Sequence, residues 1–297
     1  MSSPQPGILA PVPPQARYLT LHLRPDGDPR AALARLAAEP YGASLVVGIG
    51  PTTATALGVE VPGLRPSPTL VGPGSAFPST PAALWLWLRG DDRGVLLHRS
   101  RALLRALEGG FGDPEILDAY FHDGGRDLSG YEDGTENPRD DEALAAALVA
   151  AGEPGLSDSS FVGVQRWHHD LDRLAAFEPA ERDHIIGRRR EDNEELADAP
   201  PSAHIQRTAQ EDFEPAAFVV RRSMPWTEGA SAGLVFVAFG RSLDAYEALM
   251  RRMIGGDDGI VDALFRFTQP RSGATFWCPP CAGGRLDLSR LGISPAS

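Results

Sequence analysis

Apolar and polar residues alternate along the chain in two rhythms. Residues 17–23 (RYLTLHL) change character at every step, the period-two mark of a half-buried strand. Asp28-Pro29 then opens a helix in which alanines and leucines recur to about Ala38. Residues 44–49 form a short apolar run among glycines, which predicts a buried strand. Residues 83–88 (ALWLWL) predict another, with Trp85 and Trp87 on one face as packing residues. A Gly-Asp-Asp-Arg-Gly turn leads to a helix from about Arg99 to Glu108. The Pro, Gly, Ser and Thr of residues 51–80 predict irregular chain, and the proline-rich opening through Pro14 an extended arm.

The second half repeats this order. Residues 161–166 (FVGVQR) predict a strand, residues 170–187 helical segments, and residues 217–222 and 233–239 two more strands. A helix over 242–253 follows, with Leu243, Tyr246, Leu249, Met250 and Met253 on one face. Each half thus reads strand, helix, strand, strand, helix. That order predicts an α+β fold of two ferredoxin-like units side by side, and 297 residues suit two units at about 150 each.

Composition narrows the function. Hydrophobic residues make up 42% and charged residues 23%, an ordinary globular balance. The formal charge, 28 − 40 = −12, lacks the basic footprint that nucleic acid requires. No apolar run is long enough for a membrane span. The N-terminus lacks the basic and apolar regions of a secretory signal, so the cytoplasm is expected. Two cysteines cannot staple such a chain, which suits a reducing compartment.

Few residue groups suggest chemistry by themselves. Residues 128–139 (LSGYEDGTENPR) concentrate turn formers, with Asp133 between Glu132 and Gly134 and Glu136 nearby. Their glycines allow backbone to approach a flat ligand. The charge cluster in residues 188–201 reads as a solvated surface loop. His204 follows two prolines in what reads as an extended segment, where a structural role competes with metal ligation. Arg221 and Arg222 end an apolar strand, so one of them faces inward or the strand ends at the surface. Cys278 and Cys281 have CxxC spacing, but no helix follows and no second ligand pair is evident, so they read as two buried or loop thiols.

Gly130-Tyr131-Glu132-Asp133-Gly134-Thr135-Glu136-Asn137-Pro138 resembles the extended GxxDG signature of dye-decolorizing peroxidases. Pro4–Leu9, FVGVQRWHH (161–169), IIGR (185–188), residues 202–207 and VRRSMPW (220–226) resemble the family's other blocks, in order. The resemblance covers nearly the whole chain and is closest to the bacterial B subfamily. It implies units of residues 1–140, with the distal GxxDG loop, and 141–297, with the proximal histidine, in the manner of a dimeric α+β barrel. Haem b would lie between them, held mainly by the C-terminal half. His204 takes the position of the iron ligand, Asp133 and Arg221 those of the distal aspartate and arginine, and Gly134, Thr135 and Glu136 that of haem-lining backbone. Asp262 matches the carboxylate behind the histidine.

The implied activity is hydrogen-peroxide-dependent oxidation of dyes, phenolics or other bulky reductants in one-electron steps through a ferryl intermediate. The alternative is a haem- or iron-handling protein with low turnover. Asp133 would move the peroxide proton, since an unperturbed aspartate titrates near ~4. Arg221 would stabilise the departing hydroxide. Trp167, Trp226, Trp277 and Tyr246 are candidate electron relays by residue type. Ser223 stands where asparagine is common and is counted with the catalytic residues. Glu132 stands where an apolar residue is common; facing the pocket beside Asp133, it would raise one of the two pKa values. A homo-oligomer is expected. The tail, residues 284–297, with Leu291-Gly292-Ile293 near its end, suggests docking to an encapsulating shell protein.

Overall fold

A computed structural model describes residues 2–152 and 155–294. Among these, ten strands share the main sheet. In chain order they are β1 (Gln15–Leu23), β2 (Leu45–Ile49), β3 (Leu84–Gly90), β4 (Phe111–Tyr120), β5 (Ser160–His169), β6 (Val220–Arg221), β7 (Met224–Glu228), β8 (Ser231–Gly240), β9 (Thr268–Pro270) and β10 (Ala274–Cys278). Their spatial order is β7-β8-β5-β10-β2-β3-β1-β4, with β6 also beside β8 and β9 beside β5. Every pairing is antiparallel.

The order β4-β1-β3-β2 is that of a ferredoxin-like unit, and β10-β5-β8-β7 repeats it. The two runs meet where Trp277 of β10 pairs with Ile49 of β2. The fold is therefore α+β and duplicated. In each run one long helix follows the third strand: Arg93–Leu107, between β3 and β4, in the first and Asp244–Met253, between β8 and β9, in the second.

Local chemistry sets the elements. The Asp28 carboxylate accepts the Ala31 N–H at 3.1 Å and caps the helix Pro29–Ala38. Asp92 accepts the Val95 N–H at 2.8 Å, so the second helix starts at Arg93, not near Arg99. Gly94 in its first turn gives the sequence the look of a loop. Strand β4 escapes the sequence pattern because it is an edge strand, open to solvent at its centre and interrupted by Pro114. Residues 51–80 are less irregular than expected, with a helix Pro51–Ala56 and a hairpin of Leu70–Gly72 with Ser75–Phe77. The opening arm is not wholly extended, since Pro6–Leu9 is helical.

Trp85, Trp87 and Tyr18 stack against one another in the core, with centroids 6.0 to 6.4 Å apart. Each buried aromatic contributes about 1.5–3 kcal/mol over its exposed state. The expected apolar face of the last helix is buried, and the Tyr246 ring lies so close to Gly163 of β5 that a Cβ there would meet it at 2.5 Å. Cys278 and Cys281 are free and buried, and burial and the nearby Asp287 push the Cys281 thiol up to about 11. Those thiols are poor nucleophiles. The tail is not a free docking segment as far as it is described. Leu286, Leu288, Leu291 and Ile293 are buried in the core, and Arg30 donates to the Leu291 and Gly292 carbonyls; residues 295–297 lie outside the described residues. Among the described residues no helix is long and apolar enough to cross a membrane.

Candidate active site

One face of the C-terminal run encloses a cavity of about 350 Å³, within the usual size of small-ligand sites. Strand alternation builds its wall: β5 contributes Trp167 and His169, and β8 contributes Leu234 and Phe236. The last helix adds Leu249, Met250 and Met253. Polar groups from distant parts of the chain converge on this apolar shell.

His204 is one of them. It does not lie in an extended segment: Pro200 and Pro201 precede a short helix, His204–Thr208, that begins at the histidine. Its Nδ1 shares a hydrogen at 2.8 Å with Oδ2 of Asp262, which is fully buried. The other oxygen of Asp262 accepts the Leu264 N–H at 2.8 Å. Since the carboxylate only accepts, Nδ1 carries the proton and Nε2 keeps its lone pair for a ligand.

Asp133 and Arg221 also line the cavity, with Oδ1 and Nη1 3.8 Å apart. That distance is too long for a direct hydrogen bond, so both groups are free to bind a third. Arg221 Nε is buried without a partner, an unmet donor at the cavity. The two arginines divide as alternation requires. Arg221 faces the cavity, whereas Arg222 turns away and donates to the Leu9 and Ala10 carbonyls of the opening segment.

The rest of the turn-rich loop docks on residues 188–195. Glu132 accepts from Arg126 and Asn193, each at 3.0 Å. Glu132 lines the cavity beside Asp133, and these two donors meet its carboxylate there. Thr135 accepts from Asn193 at 2.9 Å, and Glu136 accepts from Arg188 at 2.7 Å. Arg188 is buried, so this charge cluster is not merely a solvated loop. Thr135 and Glu136 line the cavity; Gly134 and Ser223 do not. The chain leaves β6 after Arg221, and the Ser223 hydroxyl faces the Val237 amide at 3.5 Å. Of the four relay candidates, all buried, only Trp167 lines the cavity.

Sequence reasoning passed over Asp127 and His169. The Thr268 hydroxyl lies 2.5 Å from His169 Nδ1 and 3.0 Å from the His168 carbonyl. His169 Nε2 meets Asp127 Oδ1 at 3.0 Å. The Asp127 carboxylate only accepts, so His169 Nε2 carries a proton toward it. Burial pushes the Asp127 carboxyl up, but the His169 charge and hydrogen bond, with the Ser129 donors, hold it down at about 2. The one available signal was that Asp127 immediately precedes the turn-rich stretch and His169 ends a resembling block. A lone histidine on a strand carries no more than that.

A duplicated α+β fold with a carboxylate-backed histidine, an aspartate and an arginine on one cavity defines a class of oxidoreductase site. The model of the Dyp-type peroxidase C-terminal region matches residues 124–283. A dye-decolorizing peroxidase of Mycolicibacterium paratuberculosis is 30% identical over 299 residues, covering 93% of this chain and 83% of that protein. A dye-decolorizing protein from Vibrio cholerae superposes with a TM-score of 0.82 at 26% identity, covering 92% of this chain and 95% of that one. A DypB variant from Rhodococcus jostii, solved with haem, gives 0.84 at 25%, covering 92% and 95%. The chain belongs to the Dyp-type peroxidase family and is an oxidoreductase acting on peroxide. The Rhodococcus neighbours agree with the bacterial B subfamily.

Proposed function

We propose that the cavity holds haem b and that the chain uses hydrogen peroxide to oxidise bulky reductants one electron at a time. The observation that carries this is the convergence of His204, Asp133 and Arg221 on one apolar-walled cavity. The donor set fits the group: an imidazole nitrogen for iron, apolar walls for a porphyrin, and an orphaned guanidinium N–H. His204, in the unit of residues 141–297, would hold the iron through Nε2. When bound, the haem would supply an iron centre that stores the oxidising equivalents of peroxide until the reductant removes them one at a time.

The chain's own residues do the rest. Asp262 keeps the proton on His204 Nδ1 and so makes Nε2 the better donor. An Asp133 carboxylate oxygen takes the proton from one peroxide oxygen and returns it to the other. Arg221, a permanent cation, stabilises the charge on the leaving hydroxide. Ser223 is left out of this set because its hydroxyl is turned to β8. The cytoplasm suits two free buried thiols. A haem-handling role with low turnover has no use for a carboxylate and a guanidinium held ready 3.8 Å apart, so we do not adopt it.

The test is an absorption spectrum of the purified protein before and after a single equivalent of hydrogen peroxide. A Soret band that shifts within seconds supports the proposal. A colourless protein that takes up no haemin, or a haem band unmoved by peroxide, opposes it.

A further inference from the structure

Asp133 and Arg221 reach the cavity from opposite halves of the chain. Among the described residues no backbone–backbone hydrogen bond joins residues 133–137 to residues 219–221. Side-chain amides make the connection. The Arg221 N–H donates to Asn137 Oδ1 at 2.7 Å, and Asn137 Nδ2 donates to the Arg221 carbonyl at 3.0 Å. Arg221 lies in β6, paired on one edge with Ala238 of β8. The Asn137 amide therefore satisfies the donor and acceptor that a neighbouring strand would otherwise satisfy.

Two further features support this contact. Gln210, buried, bridges the same two segments: the Val219 N–H donates to its Oε1 at 2.7 Å, and its Nε2 donates to the Glu136 carbonyl at 3.1 Å. Gly134 has φ +82°, and a Cβ there would lie 2.8 Å from Asn137 Nδ2. The turn that presents Asp133 thus leaves the space that the Asn137 amide fills, and the Asn137 N–H closes it on the Gly134 carbonyl at 3.0 Å.

We propose that Asn137 is a positioning residue for the peroxide step. Its amide fixes the backbone from which Arg221 projects to the loop that carries Asp133, and so sets guanidinium and carboxylate against each other. This rests on the roles proposed above for Asp133 and Arg221. Without the two bonds only Gln210, one residue off on each side, ties the two segments, so Arg221 itself loses its register against the Asp133 loop, and a misplacement of about 1 Å costs a reaction of this kind about a hundredfold.

The test compares the holoenzyme with its Asn137→Ala and Asn137→Asp variants. For Asn137→Ala, stopped flow should show the peroxide step slowed about a hundredfold, with haem bound and KM for the reductant unchanged. Amide exchange at Arg221, read without peroxide, should speed up about tenfold, while Ala238 stays protected. In Asn137→Asp a protonated carboxyl can make both bonds and a carboxylate only one. Its peroxide rate should therefore approach wild type in acid and fall as the new group ionises, a descent beyond that of the wild type. This variant, of the same size, keeps the test valid if the alanine variant folds poorly. A wild-type peroxide rate in Asn137→Ala, or unchanged exchange at Arg221, overturns the proposal. Arg221→Ala, measured in parallel, separates the failures. A wild-type rate there overturns the role of Arg221 itself; a slow rate there with a fast Asn137→Ala overturns the positioning role alone.

Discussion

His204 takes its orientation from one buried carboxylate, whereas Asp133 and Arg221 take theirs from a web of side-chain amides and ion pairs. Asp262 holds the ring at Nδ1 and caps its own turn, and nothing more is needed to aim one nitrogen. Asp133 and Arg221 must act together on a small molecule, so two backbones have to be fixed at once. Asn137, Gln210, Asn193 and Arg188 do that work from four places in the chain. A ligand-holding residue needs a single anchor; a pair of charges acting across a gap needs its supports tied to each other.

Substitutions can break this contrast at either side, and the largest effect is expected at the histidine. His204→Ala should remove haem from the purified protein, seen as loss of the Soret band at matched protein concentration. Arg221→Ala should keep haem yet slow the peroxide step by about 10²–10³, measured by stopped flow, since it removes a charge used in the transition state. Asp262→Asn should weaken haem binding by about tenfold in a haemin titration, because the amide still accepts from Leu264 but no longer supports the imidazole with a charge.

The smallest effect concerns stability. The Asp127 carboxyl is held at about 2, below its unfolded value near ~4, so its pairing with His169 stabilises the fold fully above about pH 4 and is lost as pH falls toward 2. Asp127→Asn should therefore lower unfolding free energy by about 2–3 kcal/mol at neutral pH, with the gap closing in acid. Urea unfolding over a pH series checks this; a gap that widened in acid would contradict the pairing.

The sequence carried those parts of the molecule whose cause is local. Alternation marked β1, short apolar runs marked β3 and β8, and the apolar stripe of Tyr246, Leu249, Met250 and Met253 marked a helix that buries it. Edge strand β4 was hidden because neither face is uniformly buried, and β10 because its five residues are all buried and show no rhythm. Local reading flagged Asp133, His204 and Arg221 as candidates, but their roles, and Asp262 altogether, came through the resemblance. The supports were invisible for a physical reason. Asn137 and Gln210 matter because of what lies across a gap in space, and a turn-forming asparagine before proline has a sufficient local explanation. Ser223 shows the converse: its position in the chain suggested the cavity, but the chain turns after Arg221 and takes the hydroxyl elsewhere.

The account depends most on His204 as the ligand of a haem in this cavity. Titration of the purified wild type and His204→Ala with haemin, followed by absorption, tests that directly. The wild type should saturate at a single equivalent with a shifted Soret band, and His204→Ala should show only the spectrum of unbound haemin. A His204→Ala protein with the wild-type spectrum and stoichiometry would contradict it.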